Sequence, residues 1–86
     1  MTDFTFKYYE DAGHGWIAVK KRLLGELGIA REITPYSYMR GQTAYLEEDC
    51  DANTLIDAIH GRCGSVKLIR KYTERSPIRS YEPYSV

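Results

Sequence analysis

Apolar and polar residues alternate through Phe4-Thr5-Phe6-Lys7-Tyr8-Tyr9. That two-residue period predicts a half-buried strand with Phe4, Phe6 and Tyr8 inward. Asp11, Gly13 and Gly15 then mark a turn. Trp16, Val19, Leu23, Leu24 and Leu27 fall at helical spacing, and Gly28 supplies a C-terminal stop. Trp16-Ile17-Ala18-Val19 also reads as a short strand hairpinned to the first, with Gly13-His14-Gly15 as its tip. On that reading, which the tip favours, the helix begins near Lys20. Trp16 then anchors the core.

Ile33-Thr34-Pro35 interrupts the pattern and opens a strand at Tyr36 to Met39. A turn at Arg40-Gly41-Gln42 and a partner strand from Thr43 to Glu48 make a β-hairpin, through either Arg40-Gly41 or Gly41-Gln42. Both registers put Ser37, Met39, Ala44 and Leu46 on one side. Both put Tyr36, Tyr38, Arg40, Thr43, Tyr45 and Glu47 on the other. Asp51 stands as an N-cap before a second helix, whose buried stripe is Ala52, Leu55, Ile56, Ile59 and Cys63. Gly61 and Gly64 loosen and end it. Val66 to Tyr72 is a last strand with Val66 and Leu68 inward and Lys67, Ile69 and Lys71 outward. Residues 76–86, with Pro77 and Pro83, form an extended tail or a final edge strand.

These elements predict one α+β domain over residues 1–75 followed by the tail. It is a small antiparallel-rich sheet of four to five strands with two helices packed on one face, in the order β-(β)-α-β-β-α-β. Without the optional second strand the order is the ferredoxin-like split βαβ.

Composition narrows the class. At 86 residues, 43% hydrophobic and 28% charged, the chain has the makeup of a globular domain rather than a disordered one. No apolar run approaches the ~20 residues of a membrane span, and Met1 to Phe6 lacks the basic and apolar regions of a secretory signal. Cys50 and Cys63 are too few for a disulfide framework and read as thiols in a reducing cytosol. The formal net charge is zero but divided: about −4 over residues 1–60 and +4 over residues 61–86.

Eight tyrosines are the compositional outlier. The outer sheet face would display Lys7, Tyr9, Tyr36, Tyr38, Arg40, Tyr45, Glu47, Lys67 and Lys71, an aromatic and charged surface suited to binding. The competing reading has Tyr81 and Tyr84 fold over this face and bury it. Lysines among aromatics could also stack single-stranded bases, with Lys7, Tyr9, Lys67, Arg70 and Lys71 as the nucleic-acid-binding set. Arg40-Gly41-Gln42-Thr43-Ala44-Tyr45-Leu46-Glu47 distantly resembles the RNP1 motif of RNA-recognition domains. However, Gln42 and Ala44 stand where that motif has aromatics.

Glu47-Glu48-Asp49 with Asp51 puts four carboxylates in five residues. They could imitate a phosphate backbone or meet an arginine-rich surface. The plainer reading is a charged start to the second helix, which accounts for Asp49 and Asp51 but does not require Glu47 and Glu48. Asp49, Cys50, Asp51, His60 and Cys63 lack the spacing of a zinc site, and a Cys–His nucleophile from Cys50 or Cys63 with His14 or His60 lacks a cleft. No metal, cofactor or catalytic residue is expected.

Four blocks resemble a family of small phage, prophage and plasmid proteins: Asp11-Ala12-Gly13-His14-Gly15-Trp16, Tyr36-Ser37-Tyr38, Tyr45 through Asp51, and Ile78-Arg79-Ser80-Tyr81. The resemblance implies a mobile-element origin and transfers no catalytic residues. By analogy with small phage proteins that act as counter-defence factors, including anti-CRISPR proteins, it implies a non-enzymatic inhibitor in the cytoplasm of a bacterial host cell. Such a protein would bind a defence complex, with a CRISPR surveillance complex as the expected target. The partner-binding residues are expected to be Tyr36, Tyr38, Arg40, Tyr45, Glu47, Glu48 and Asp49. The alternative is a nucleic-acid-binding module; neither reading involves a membrane.

Overall fold

A computed structural model describes residues 2–86. The elements are β1 (Asp3–Glu10), β2 (Gly15–Lys20), α1 (Lys21–Glu26), β3 (Tyr38–Arg40), β4 (Thr43–Glu47), α2 (Ala52–His60), β5 (Ser65–Tyr72), a 3-10 turn (Pro77–Ser80) and β6 (Glu82–Pro83). One six-stranded sheet runs in the order β5-β1-β2-β4-β3-β6. Every neighbouring pair is antiparallel except β1 and β5, which lie parallel because α2 intervenes in the crossover between β4 and β5. The fold is α+β as the pattern predicts, with six strands rather than four or five. Because β2 forms, the order is not the ferredoxin-like one.

The hydrophobic period works as expected on the helix side of the sheet. Phe6, Tyr8, Ile17, Val19, Ala44 and Leu46 line that face and meet Leu24 and Leu27 from the first helical segment and Leu55 and Ile59 from α2. Phe4, Val66 and Leu68 close its flank. Tyr8 crosses the backbone of Gly15 so closely that a Cβ there would collide with the phenol, so only glycine fits. The Tyr8 hydroxyl thereby reaches past Gly15 and donates to Glu48. Burial and then this acceptor raise the Tyr8 pKa well above the usual phenol value.

Trp16 is a correction of place, not of burial. It is 2% exposed, yet it lies outside the main core cluster. Ile17 and Val19 take the helix side, so strand alternation sends Trp16 to the opposite, outer face. The residue that reads as a core anchor instead nucleates a second, smaller apolar layer there.

Both helices end in Schellman motifs. At the first, Ile29 N–H donates to Leu24 C=O (3.0 Å), Gly28 N–H donates to Gly25 C=O (3.1 Å), and Gly28 has φ +75°. Leu24 and Ile29 both join the core, which is the apolar contact the motif brings. At the second, Gly64 N–H donates to Ile59 C=O (2.9 Å) and Cys63 N–H donates to His60 C=O (3.0 Å). Here the left-handed position belongs to Cys63, with φ 59°. Cys63 is therefore exposed rather than part of the buried stripe, because the helix has already reversed before reaching it.

Asp51 is the second correction. It occupies the N-cap position but makes no side-chain cap hydrogen bond. Its carboxylate, 1% exposed, turns to the α1–β3 loop. It accepts from Thr34 N–H (3.1 Å), Thr34 Oγ1 (2.8 Å) and Ser37 Oγ. Ser37 Oγ accepts in turn from Glu47 N–H (3.0 Å), and Ser37 C=O accepts from Tyr84 N–H (2.8 Å). Ser37 N–H donates to Thr34 C=O across a turn. That turn delays the start of β3 to Tyr38 and leaves Tyr36 in the loop instead of on the strand.

Two stability measurements check these readings. Cys63→Gly relieves the left-handed strain and is expected to raise the unfolding free energy by about 0.5–1 kcal/mol, while Cys63→Ala leaves it near the wild-type value. Asp51→Ala strands three donors, two on half-buried Thr34 and one on buried Ser37, and is expected to lower it by about 3 kcal/mol. Urea denaturation followed by circular dichroism reads both.

Candidate interaction surface

The hairpin tip between β1 and β2 is organised by Asp11. Its Oδ1 accepts from Gly13 N–H and His14 N–H, both at 3.0 Å. Arg79, from the 3-10 turn, closes a bidentate pair on the same carboxylate, with Nε to Oδ2 at 2.7 Å and Nη2 to Oδ1 at 3.0 Å. The Arg79 hydrogen bond first, and the two backbone donors, hold Asp11 far below the ordinary carboxylate pKa. Neither residue stood out in the sequence beyond its place in the Asp11 and Ile78 blocks. The signal that could have found the pair was an acid in a Gly-rich turn together with an arginine in the Pro-flanked tail.

This ion pair fastens a C-terminal strap across the outer face. Ser76 caps the 3-10 turn by accepting from Ile78 N–H (3.2 Å), and Pro77 stands at its first position. Ile78 is buried on the sheet. The Arg79 guanidinium lies 5.6 Å from the Trp16 ring centre and Tyr81 lies 5.1 Å from Tyr45. Arg40 lies over the Tyr81 ring at 5.2 Å. The chain then pairs with β3 as β6 and dips to the helix side. There Tyr84 joins the core and donates to Ala30 C=O at 2.7 Å.

The strap divides the predicted residues. Tyr45 is packed between Tyr81 and Tyr9, the latter at 6.2 Å, and burial foremost raises its pKa. Arg40 is committed to Tyr81. Lys7, Tyr9, Lys67 and Lys71 do share the outer face on β1 and β5, as the register Lys7↔Ile69 and Tyr9↔Lys71 requires. Arg70 does not join them. It sits on the helix side over the Tyr8 ring at 5.5 Å and 3.7 Å from Glu10.

Beyond the strap lies an open recess of about 340 Å³ at the hairpin end of the sheet, lined by His14, Trp16, Tyr38, Glu47 and Arg79 with Tyr36, Asp49 and Cys50 at its edge. Tyr36 is 74% exposed. Tyr38 meets Trp16 edge to face at 6.4 Å. His14 Nδ1 is 3.6 Å from Glu47 Oε1, and Glu47 Oε2 accepts from Asp49 N–H at 2.9 Å. The acidic run is thus split. Glu47 faces the recess, Asp49 is at the exposed bend, and Glu48 turns back to Tyr8.

Donor atoms of His14, Glu47, Glu48 and Asp49 all come within 4.8 Å of one another, a grouping that excludes Cys50, His60 and Cys63. Burial, then the neighbouring Glu47, raises the Cys50 thiol pKa. That environment suppresses the thiolate a nucleophile would need.

No family model matches the chain, and neither a curated protein nor a solved structure matches it. What the fold and surface define is a structural class: an α+β protein with a six-stranded sheet, two helices on one face and a fastened strap on the other. No helix of the described residues is long and apolar enough to cross a membrane.

The Asp11–Arg79 pair predicts an acid dependence. The native carboxyl titrates below the unfolded one, near ~3.9, so its contribution is complete above that value and is lost as pH falls through the native one. Asp11→Asn should therefore flatten the acid limb of the stability profile between pH 6 and pH 2. Urea midpoints across that range, compared with wild type, test it.

Proposed function

We propose that this chain is a non-catalytic protein-binding module, and that it acts as a stoichiometric inhibitor of a bacterial defence complex in the host cytoplasm. The observation that carries the binding reading is Tyr36. It is a large aromatic ring, 74% exposed, held on a turn that Asp51 and Ser37 brace, at the rim of a recess walled by Trp16 and Tyr38. Rigid exposed aromatics of this kind dominate binding energy at protein interfaces. Glu47 and Asp49 beside it suit a lysine- and arginine-bearing partner surface, such as the nucleic-acid path of a nuclease complex. The inhibitor reading draws further on the block resemblance to mobile-element proteins.

The nucleic-acid alternative relies on an open aromatic platform. Tyr81 already packs against Tyr45, and Arg40 lies over the Tyr81 ring, which counts against that mode of base stacking.

A tagged pull-down from a defence-active bacterial host should recover a defence subunit that survives nuclease treatment. In the purified complex, Tyr36→Ala is expected to weaken binding by roughly 30-fold, and Asp49→Lys by about tenfold, with circular dichroism unchanged. A recovered partner indifferent to both substitutions would place the contact elsewhere. Recovery of nucleic acid alone, lost at high salt, would replace the proposal with the alternative.

A further inference from the structure

We propose that the free edge of β5 is a docking site for an acidic, extended segment of a partner protein, which adds to the sheet as a seventh strand. This site is independent of the Tyr36 surface, because β5 and β3 lie toward opposite edges of the sheet.

The backbone argument comes first. β5 runs eight residues and ends the sheet beyond β1. Ser65 N–H donates to Thr2 C=O and Thr73 N–H donates to Glu10 C=O, both at 3.0 Å. In a parallel ladder, residues whose amides face the partner alternate with residues whose amides face away. Residues 65, 67, 69, 71 and 73 therefore serve β1. Val66, Leu68, Arg70 and Tyr72 turn both N–H and C=O to the open edge, where among the described residues no strand pairs with them. An exposed edge this long is a template for another chain. An anion such as a phosphate could use the N–H groups but would leave the C=O groups unanswered.

Side chains select the occupant. On the outer face Lys67 and Lys71 flank Ile69, which is 42% exposed. On the helix side Tyr72 is 65% exposed and Arg70 is near the end of the strand. A strand laid alongside would bury Ile69 if its opposing residue were apolar, and would meet Lys67 and Lys71 best with acids two residues to either side. A second copy of this chain fits poorly. The two-fold register that sets Ile69 against itself also sets Lys67 against Lys71 twice. The lysines thus discourage self-pairing while favouring an acidic guest. Antiparallel addition is the more stable geometry per residue, and its pattern against residues 71 to 67 is acid, acid, apolar, apolar, acid.

The probe is a doubly capped peptide, Thr-Glu-Glu-Val-Val-Glu-Thr, with Thr-Lys-Lys-Val-Val-Lys-Thr as control. Titration of the full chain followed by amide NMR should show saturable binding of the acidic peptide only, with exchange at the Leu68 and Arg70 amides slowed at least about tenfold. Arg70→Pro deletes one edge-facing donor without touching the β1 ladder, a placement edge strands tolerate. It should weaken binding at least about tenfold more than Arg70→Ala, which keeps the donor and loses the same charge. Lys67→Glu with Lys71→Glu, both at exposed positions, should invert the preference toward the basic peptide even if Arg70→Pro does not fold. Unprotected Leu68 and Arg70 amides at saturating acidic peptide would overturn the proposal. So would equal binding by folded Pro and Ala variants, an uninverted preference, or binding of a thymidine dodecamer in place of the acidic peptide.

Discussion

The buried carboxylate of Asp51 is the constraint on which the remaining architecture rests. Among the described residues no basic side chain neutralises it. Instead the amide and hydroxyl of Thr34 and the hydroxyl of Ser37 converge on it. Through Ser37 the same cluster reaches the end of β4 and the strap at Tyr84. The cluster therefore joins three stretches of chain, the α1–β3 loop, the β4–α2 junction and the strap. A buried polar cluster of this kind stabilises only when every member is satisfied. The cluster also determines where β3 begins and why Tyr36 is left outside it, exposed.

Two layers follow from this arrangement. The helix side is an ordinary apolar core built by strand alternation and two short helices. The outer side is a thinner layer in which the strap brings Ile78, Arg79 and Tyr81 over the sheet beside Trp16 and Tyr45, and the Asp11–Arg79 pair fastens it. The strap gives a small protein a second buried face. It also packs Tyr81 against half-buried Tyr45 and draws the exposed Arg40 onto the Tyr81 ring, while Tyr36 at the hairpin end stays open. The places left open include the recess near Tyr36, which the strap borders through Arg79, and the unpaired edge of β5.

Much of the element pattern was legible in the chain. The alternation in β1, the hairpin tip before β2, Gly28 as a helix stop, the two faces of the β3–β4 hairpin and the orientation of Val66 and Leu68 all follow from local periodicity and backbone preference. The misreadings have physical causes. Cys63 continued the helical stripe on paper, but the Schellman turn is set by a hydrogen bond from Gly64, one residue later than the usual left-handed glycine. Asp51 has the identity and position of an N-cap, yet stronger tertiary donors claim its carboxylate. Arg70 reads as one of a basic group, while strand parity sends it to the other face.

By itself the sequence determined the α+β class, the order of its main elements and which residues of each strand share a side, because those depend on neighbours two to four positions apart. Tertiary structure alone decided the sheet order, the parallel pairing of β1 with β5 and which face Trp16 occupies. It also decided that residues 76–86 form a fastened strap. These depend on contacts such as Asp11 with Arg79, 68 residues apart, and Ser37 with Tyr84. No local pattern encodes such partners, since a bidentate ion pair or a buried acceptor is specified by where the chain returns in space.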